Sequence, residues 1–280
     1  MLRESLSPTE TGREGLRSLA LVRGMVEMTA KKWFVGAVGA VALMGLSGPA
    51  LAGGFGLFDR SEGSTKDGPA PSGRQFSWSV NVGGTSDYVF RGISQSDEKP
   101  AIQAGIDLTY GIFYVGAWGS TTDLGVGDNA EIDWYAGIKP VLGPLTFDFG
   151  VIYYTYPGTA IEQPVEVKAG VAWSPVKDLA TGFIFYWEPD LEYQVYEFTA
   201  AYTLPSFKMF TPTIGGTFGI VEDNDGFLGG DYNYWNVGLA LAVDKITLDF
   251  RYWDTDIGSG SPVHGLADER FVFTAKVTLP

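Results

Sequence analysis

Acidic and basic side chains recur two positions apart inside segments that are otherwise rich in valine, phenylalanine and tryptophan. Glu166 with Lys168 and Asp249 with Arg251 are the clearest pairs. In an extended strand, residues two positions apart share one face. Charges gathered on one face can neutralise one another or hold a polar molecule, and neither task needs a nucleophile or a cofactor.

Three other groups of residues could carry chemistry, and each has a simpler explanation. His264 is the lone histidine and lies in a loop without a nucleophile motif, so we expect an exposed histidine rather than half of a Ser–His hydrolase pair. The acidic segment 222–226 resembles part of a twelve-residue calcium loop, but Val221 and Tyr232 occupy the first and twelfth ligand positions of such a loop. Asp254 and Asp256 have glycine- and serine-rich surroundings that give them no desolvated pocket. We therefore predict that the protein is not an enzyme and binds no metal or cofactor.

The composition argues against several classes of protein. The absence of cysteine among the 280 residues excludes disulfides, thiol catalysis and the common structural zinc sites. A net charge of −14 argues against a nucleic-acid partner, which requires a basic surface. Charged residues make up 19% of the chain, below the ~25% of ordinary soluble domains.

The elements that carry the charged pairs are predicted to be β-strands. Between Phe76 and Tyr110, apolar residues alternate with small or polar ones in two limbs, and the turn-forming run Ser94–Lys99 separates them. The same alternation continues to the C-terminus and predicts about twelve strands, with no helical period sustained over three turns. Long polar connections follow the odd-numbered strands, and mostly tight turns follow the even-numbered ones.

The two faces of these strands favour a membrane environment. One face carries large apolar residues, and aromatic residues such as Tyr88, Phe90 and Trp134 lie near strand ends, as in interfacial belts. The other face is mainly small and polar, where a soluble sheet would expose lysine, glutamate and arginine. We predict an all-β fold, a transmembrane antiparallel up-and-down β-barrel of about 12 strands over residues 76–280. A secreted β-sandwich is the alternative.

The phase of each strand predicts which charged residues face the barrel interior. Acids outnumber bases in this set, eight to five, which suggests a mildly acidic lumen. The predicted lumen-lining residues are Asp87, Arg91, Asp107, Glu131, Asp133, Lys139, Asp148, Glu166, Lys168, Glu197, Asp249, Arg251 and Lys276.

The N-terminal region resembles a targeting segment. Lys31 and Lys32 precede the apolar run 33–46, and Ala50-Leu51-Ala52 supplies a small-x-small cleavage pattern. We expect residues 1–52 to comprise a signal peptide with cleavage after Ala52, preceded by a segment that reflects the choice of start codon. Residues 53–75 are rich in glycine, serine and proline and are expected to form a flexible periplasmic linker.

The run Thr85-Ser86-Asp87-Tyr88-Val89-Phe90-Arg91-Gly92-Ile93-Ser94-Gln95-Ser96, followed by Pro100–Gly105, resembles the N-terminal signature of the TorF-like family of outer-membrane porins. The likeness extends less sharply through Trp118, Trp134-Tyr135 and Tyr153-Tyr154. It implies a proteobacterial outer-membrane barrel with a role in solute passage, and it assigns no substrate or catalytic residue. The chain departs from barrels of this type because it ends in Pro280 rather than in an aromatic residue.

Three functional hypotheses follow. The first is a porin-like channel in the outer membrane of a Gram-negative cell, with membrane lipid and small polar solutes as its partners. The second is a non-conducting structural or interaction barrel whose charged interior is packed. The third is a membrane-embedded hydrolase, for which His264 would be essential.

Overall fold

A computed structural model describes residues 75–125, 127, 129–159, 163–224 and 230–280. The predicted signal peptide, and the predicted linker up to residue 74, lie outside these residues. Among the described residues, no helix has the length and apolar character needed to cross a bilayer.

Twelve long strands follow one another along the described part of the chain, as the alternating pattern predicts. They are β1 (Phe76–Thr85), β2 (Ala101–Tyr110), β3 (Phe113–Thr121), β4 (Ala130–Ile138), β5 (Leu145–Thr155), β6 (Val165–Val176), β7 (Leu179–Glu188), β8 (Tyr193–Thr203), β9 (Thr211–Asp223), β10 (Tyr232–Val243), β11 (Ile246–Thr255) and β12 (Arg270–Leu279). Shorter elements are the strand pair Val89–Phe90 and Ile93–Ser94, the strand Val141–Leu142 and one 3₁₀ turn, His264–Leu266.

The sheet closes on itself. Each long strand pairs antiparallel with its neighbours in sequence, and β1 pairs with β12 from Val80 opposite Leu279 to Thr85 opposite Thr274. This confirms the predicted closed, up-and-down barrel of twelve antiparallel strands. Closure leaves no unpaired edge, which is the condition for a sheet surrounded by hydrocarbon.

The long and short connections lie at opposite ends of the barrel. The segments 86–100, 122–129, 156–164, 189–192, 224–231 and 256–269 join strands at what we name the loop end. Turns such as 111–112, 177–178 and 244–245 join strands at the turn end.

Side chains alternate between the barrel exterior and its interior, and β6 is a clear example. Val165 and Val167 are 39% and 41% exposed, whereas Glu166 and Lys168 are 0% and 1% exposed. Because the wall is a single sheet, a side chain buried on it must face inward. A slip of one residue would move both charges to the apolar exterior, so the register is strongly determined.

Candidate functional site

The sequence-predicted interior residues are found on the inward side of the wall or on a segment folded inside it. Eleven of these thirteen charged residues, Glu131 and ten others, are at most 6% exposed, and Lys139 and Lys276 are half-buried. The ten are Asp87, Arg91, Asp107, Asp133, Asp148, Glu166, Lys168, Glu197, Asp249 and Arg251. The interior is therefore rich in charge, and buried charges require partners.

The connection between β1 and β2 does not project outward from the loop end. Residues 87–96, which we name the inward hairpin, fold into the barrel, and Tyr88, Phe90, Ile93 and Gln95 are each at most 6% exposed. The expectation that Tyr88 and Phe90 belong to an aromatic belt at the membrane interface is wrong. Strand alternation alone cannot reveal it, because the chain leaves the wall after Thr85 and the phase of β1 no longer applies.

A two-residue turn forms the tip of the inward hairpin. Arg91 and Gly92 both have positive φ, 46° and 86°, between the paired residues Phe90 and Ile93. Positive φ at both central residues is the pattern of a type I′ turn. A Cβ at Gly92 would overlap the Thr255 methyl group and lie 3.0 Å from the Tyr234 Cβ. Glycine is therefore needed here both for its backbone conformation and for its size.

The base of the inward hairpin is fixed by one carboxylate. Asp87 accepts hydrogen bonds from the Ser94 and Ser96 hydroxyls at 2.6 and 2.9 Å and from the Arg270 guanidinium at 3.0 Å. Arg270 begins β12, so this contact ties the hairpin to the wall.

The Arg91 guanidinium lies among carboxylate, hydroxyl and aromatic groups on the β5–β8 side of the barrel, which we name the guanidinium site. Its two terminal nitrogens donate to the two Glu166 carboxylate oxygens at 2.7 and 3.1 Å. The Tyr154 hydroxyl donates to Glu166 at 2.7 Å, and the Tyr193 hydroxyl also donates to it. The Tyr186 and Tyr193 rings lie 4.9 and 5.8 Å from the guanidinium carbon. Bidentate pairing and aromatic faces together are the arrangement that arginine favours.

A second buried ion pair joins the neighbouring strands β5 and β6. Lys168 donates to Asp148 at 2.8 Å, and the Tyr114 hydroxyl donates to the same carboxylate at 2.7 Å. Glu166 and Lys168, although two positions apart, thus have different partners.

On the opposite wall, Arg251 donates to both oxygens of Asp249, at 3.2 and 2.9 Å, and to the Asn236 side chain at 2.6 Å. These two residues pair with each other. Glu166 and Lys168 have the same two-residue spacing but bond different partners. The spacing alone therefore does not predict whether two such charged residues bond each other.

Buried tyrosines fill the loop-end half of the interior and were missed as site residues. Tyr154, Tyr156, Tyr186 and Tyr234 are at most 1% exposed. Wall glycines make room for such rings, as Gly219 does for Tyr234, its cross-strand partner. The alternation of each strand could have identified them, because these tyrosines lie on the same strand face as the interior charges.

The turn-end half is lined by smaller side chains. Ser77, Thr109, Ala242 and Thr247 are only half-buried, although they lie on the inward face. Their partial exposure indicates that solvent reaches this part of the interior.

The loop end carries an exposed ion-pair cluster and the lone histidine. Lys99 bonds Asp123 at 2.8 Å, which lowers the pKa of the Asp123 carboxyl and raises the pKa of the Lys99 amine. His264 is 40% exposed and its Nδ1 lies 3.0 Å from the Ile257 carbonyl oxygen. Within the described ranges, histidine, aspartate and glutamate side chains form no group of three suited to hold a metal ion.

Comparison with solved structures finds barrels of porins. A KdgM porin superposes with a TM-score of 0.52 at 9% identity, covering 72% of this chain and 98% of the porin. A KdgM porin in complex with disordered oligogalacturonate gives 0.51 at 9% identity, with 71% and 98% coverage. A NanC porin structure gives 0.46 at 14% identity, with 73% and 100% coverage. At these identities the likeness establishes the fold alone.

Comparison of the sequence identifies the family. No protein with a curated description matches the chain. Residues 69–279 match the model of the family described as "Bacterial protein of unknown function (Gcw_chp)". The match spans nearly all of the described barrel, and the chain therefore belongs to the Gcw_chp family of bacterial proteins of unknown function.

Proposed function

We propose that the protein is an outer-membrane channel for passive diffusion of small hydrophilic solutes, and that its interior is mildly acidic. The observation that carries this proposal is the division of the wall. Its exterior is apolar, as at Trp134 and Phe271, which are 52% and 82% exposed, and its interior holds charged and hydroxyl-bearing side chains. An apolar exterior of this kind requires hydrocarbon, and a charged interior requires water or ionic partners.

Export and location belong to the same proposal. Residues 1–52 would act as the cleaved signal peptide and residues 53–75 as a periplasmic linker, which places the turn end on the periplasmic side of a Gram-negative outer membrane. The resemblance to the TorF-like family, carried by residues 85–96, supports this location. Membrane lipid and small polar solutes would then be the partners.

The thirteen predicted interior charges would line the solute path. Of the described residues that are at most 6% exposed, carboxylates outnumber basic side chains, which favours cations and neutral polar solutes over anions. The KdgM porin in complex with disordered oligogalacturonate is a barrel of similar fold in complex with a polar solute, but the charges of this chain favour a different solute class.

Conductance of the refolded protein in a planar lipid bilayer tests the proposal. We expect unitary current steps in potassium chloride and a reversal potential that indicates cation preference in a salt gradient. Absence of current steps across a range of salt concentrations, both from the intact protein and from a variant whose residues 88–96 are replaced, with each barrel shown to be folded and inserted, would refute passive transport.

The packed loop-end half favours a second candidate, a non-conducting structural barrel. The inward hairpin and the buried tyrosines occupy that half, so a solute path requires the hairpin to move. A variant with residues 88–96 replaced by a short glycine–serine link separates the candidates. Current from this variant supports a channel that the hairpin closes, whereas silence of both the variant and the intact protein supports the structural barrel.

A further inference from the structure

The guanidinium site has the composition of a binding site for an organic cation, and its occupant comes from the hairpin rather than from the wall. Glu166 supplies two carboxylate oxygens, and Tyr154 and Tyr193 supply hydroxyls that fix that carboxylate. The Tyr186 and Tyr193 rings supply faces for a delocalised cation. These are the groups that recognise a guanidinium or an alkylammonium ion in any ligand.

Arg91 enters this site as the tip of a tethered segment. The inward hairpin is joined to the barrel through residues 86 and 97–100, and Asp97 and Glu98 at its base are exposed with positive φ of 52° and 58°. Within the described structure, the wall contributes the carboxylate, the hydroxyls and two ring faces, while the hairpin contributes the cation together with the Phe90 ring, 4.5 Å from it.

Charge balance restricts what can replace Arg91. Two buried carboxylates lie on either side of strand β5, on adjoining parts of the wall. Asp133 is the cross-strand partner of Tyr154, and Glu166 is the cross-strand partner of Ile152, the next inward residue on β5. The other two buried bases among the described residues, Lys168 and Arg251, bond Asp148 and Asp249. Withdrawal of the hairpin would leave Glu166 buried without its guanidinium partner, a costly state unless another cation enters.

We propose that the guanidinium site is a solute-selection site for small organic cations that carry a guanidinium or amine group, and that Arg91 is its tethered competitor. A solute of this class exchanges with Arg91, and the exchange releases the inward hairpin from the loop-end half. The proposal rests on the proposed channel function for its purpose, but the binding step is measurable without current.

A single cysteine reports release of the hairpin, because the chain contains no cysteine of its own. Gln95 is 3% exposed, and its replacement in Gln95→Cys keeps the backbone bonds that join it to Tyr88 and Asp123. We expect the rate of maleimide labelling to rise with L-arginine or guanidinium chloride as 1 + [L]/Kd, about tenfold at ten times Kd. Glutamate, glucose and potassium chloride at matched ionic strength should leave the rate unchanged.

A carboxylate variant and a matched control identify the site. In the Gln95→Cys background, Glu166→Gln should abolish the response to arginine. Glu222→Gln removes an exposed carboxylate that also accepts a hydrogen bond from a tyrosine, Tyr196, and should preserve the response. Labelling that is indifferent to arginine, that responds equally to glutamate, or that still responds in Glu166→Gln would overturn the proposal.

Arg91→Ala provides a second measurement that does not depend on labelling or on the folding of Glu166→Gln. Removal of the tethered competitor should make isothermal titration with arginine detect tighter binding than in the intact protein. Equal or absent binding in Arg91→Ala contradicts the proposal.

The two proposals fail separately. Arginine binding without current in any variant refutes the channel and leaves the cation site standing. Current without an arginine effect refutes the cation site and leaves the channel standing.

Discussion

Gly92→Ala perturbs the tip of the inward hairpin, and the free-energy cost follows from the backbone conformation at residue 92 and from the atoms around it. The backbone at this position has φ of 86°, and the added methyl group would overlap the Thr255 Cγ2 and lie 3.0 Å from the Tyr234 Cβ. Left-handed backbone costs about 1–2 kcal/mol for a residue with a Cβ. Overpacking adds about 1–3 kcal/mol. Gly111→Ala is the matched control, because Gly111 has φ of 61° and nothing within 4 Å of its Cβ position.

The difference in labelling rate between Gly92→Ala and Gly111→Ala isolates the steric part of the free-energy cost from the cost of the left-handed backbone. Maleimide labelling of Gln95→Cys measures the open fraction of the hairpin when closing is faster than labelling. A cost of about 1–3 kcal/mol confined to the closed state corresponds to labelling about 5- to 150-fold faster in Gly92→Ala. Gly111 lies at the turn end, so Gly111→Ala should label at nearly the parent rate.

A second-site change tests the assigned contact. Thr255→Ser removes the overlapping methyl group but keeps the hydroxyl that donates to the Ala267 carbonyl at 2.9 Å. In the Gly92→Ala background it should restore part of the slow labelling. Equal labelling of Gly92→Ala and Gly111→Ala would refute the reasoning, because the hairpin tip would then not be held against this wall.

Three further outcomes follow from the same contacts. Glu166→Gln leaves the buried guanidinium of the hairpin without its carboxylate and should lower the free energy of unfolding by about 3–5 kcal/mol, measured by denaturant titration of the refolded barrel. Gly137→Ala places a methyl group on the Tyr114 hydroxyl and should destabilise the barrel in the same titration by about 1–3 kcal/mol, whereas Gly84→Ala, whose nearest neighbour is 3.8 Å away, should be tolerated. Lys99→Met should raise the pKa of Asp123 towards the ordinary carboxyl value, which NMR titration in micelles would measure. In the intact protein, the contact between Asp123 and Lys99 persists above the lowered pKa of Asp123 and is lost as pH falls through that pKa. An unchanged pKa in Lys99→Met would contradict the assigned cause.

Strand alternation predicted the wall because it is a local property with a single physical cause. A strand whose faces meet hydrocarbon and a polar interior must alternate, as Val165, Glu166, Val167 and Lys168 do, so the phase of such a strand can be read from a short segment. The segment 112–119 is apolar on both faces, and its sequence leaves its orientation ambiguous. Closure between β1 and β12 followed from the even number of strands and the need to pair every backbone amide.

The inward hairpin could not be predicted in the same way. Its position depends on contacts between residues far apart in sequence, such as Arg91 with Glu166 and Gly92 with Thr255. Its apolar residues Tyr88 and Phe90 satisfy a membrane belt and a barrel core equally well in a sequence pattern. Gly92, which lies with Arg91 between the apolar residues Phe90 and Ile93, is a local signal of a turn, because glycine readily adopts the positive φ found there.

The width of the barrel explains why a hairpin is needed inside it. Side chains from the wall just fill the interior of an eight-stranded barrel. Twelve strands enclose a wider space, so wall tyrosines such as Tyr154 and Tyr234 pack fully only where an additional segment fills the centre. The inward hairpin is that segment at the loop end, and the turn-end half, lined by Ser77, Thr109 and Ala242, has none among the described residues. The length of chain folded inward therefore determines how much of the interior is packed, and the proposed channel requires displacement of the hairpin to connect the packed half with the turn-end half.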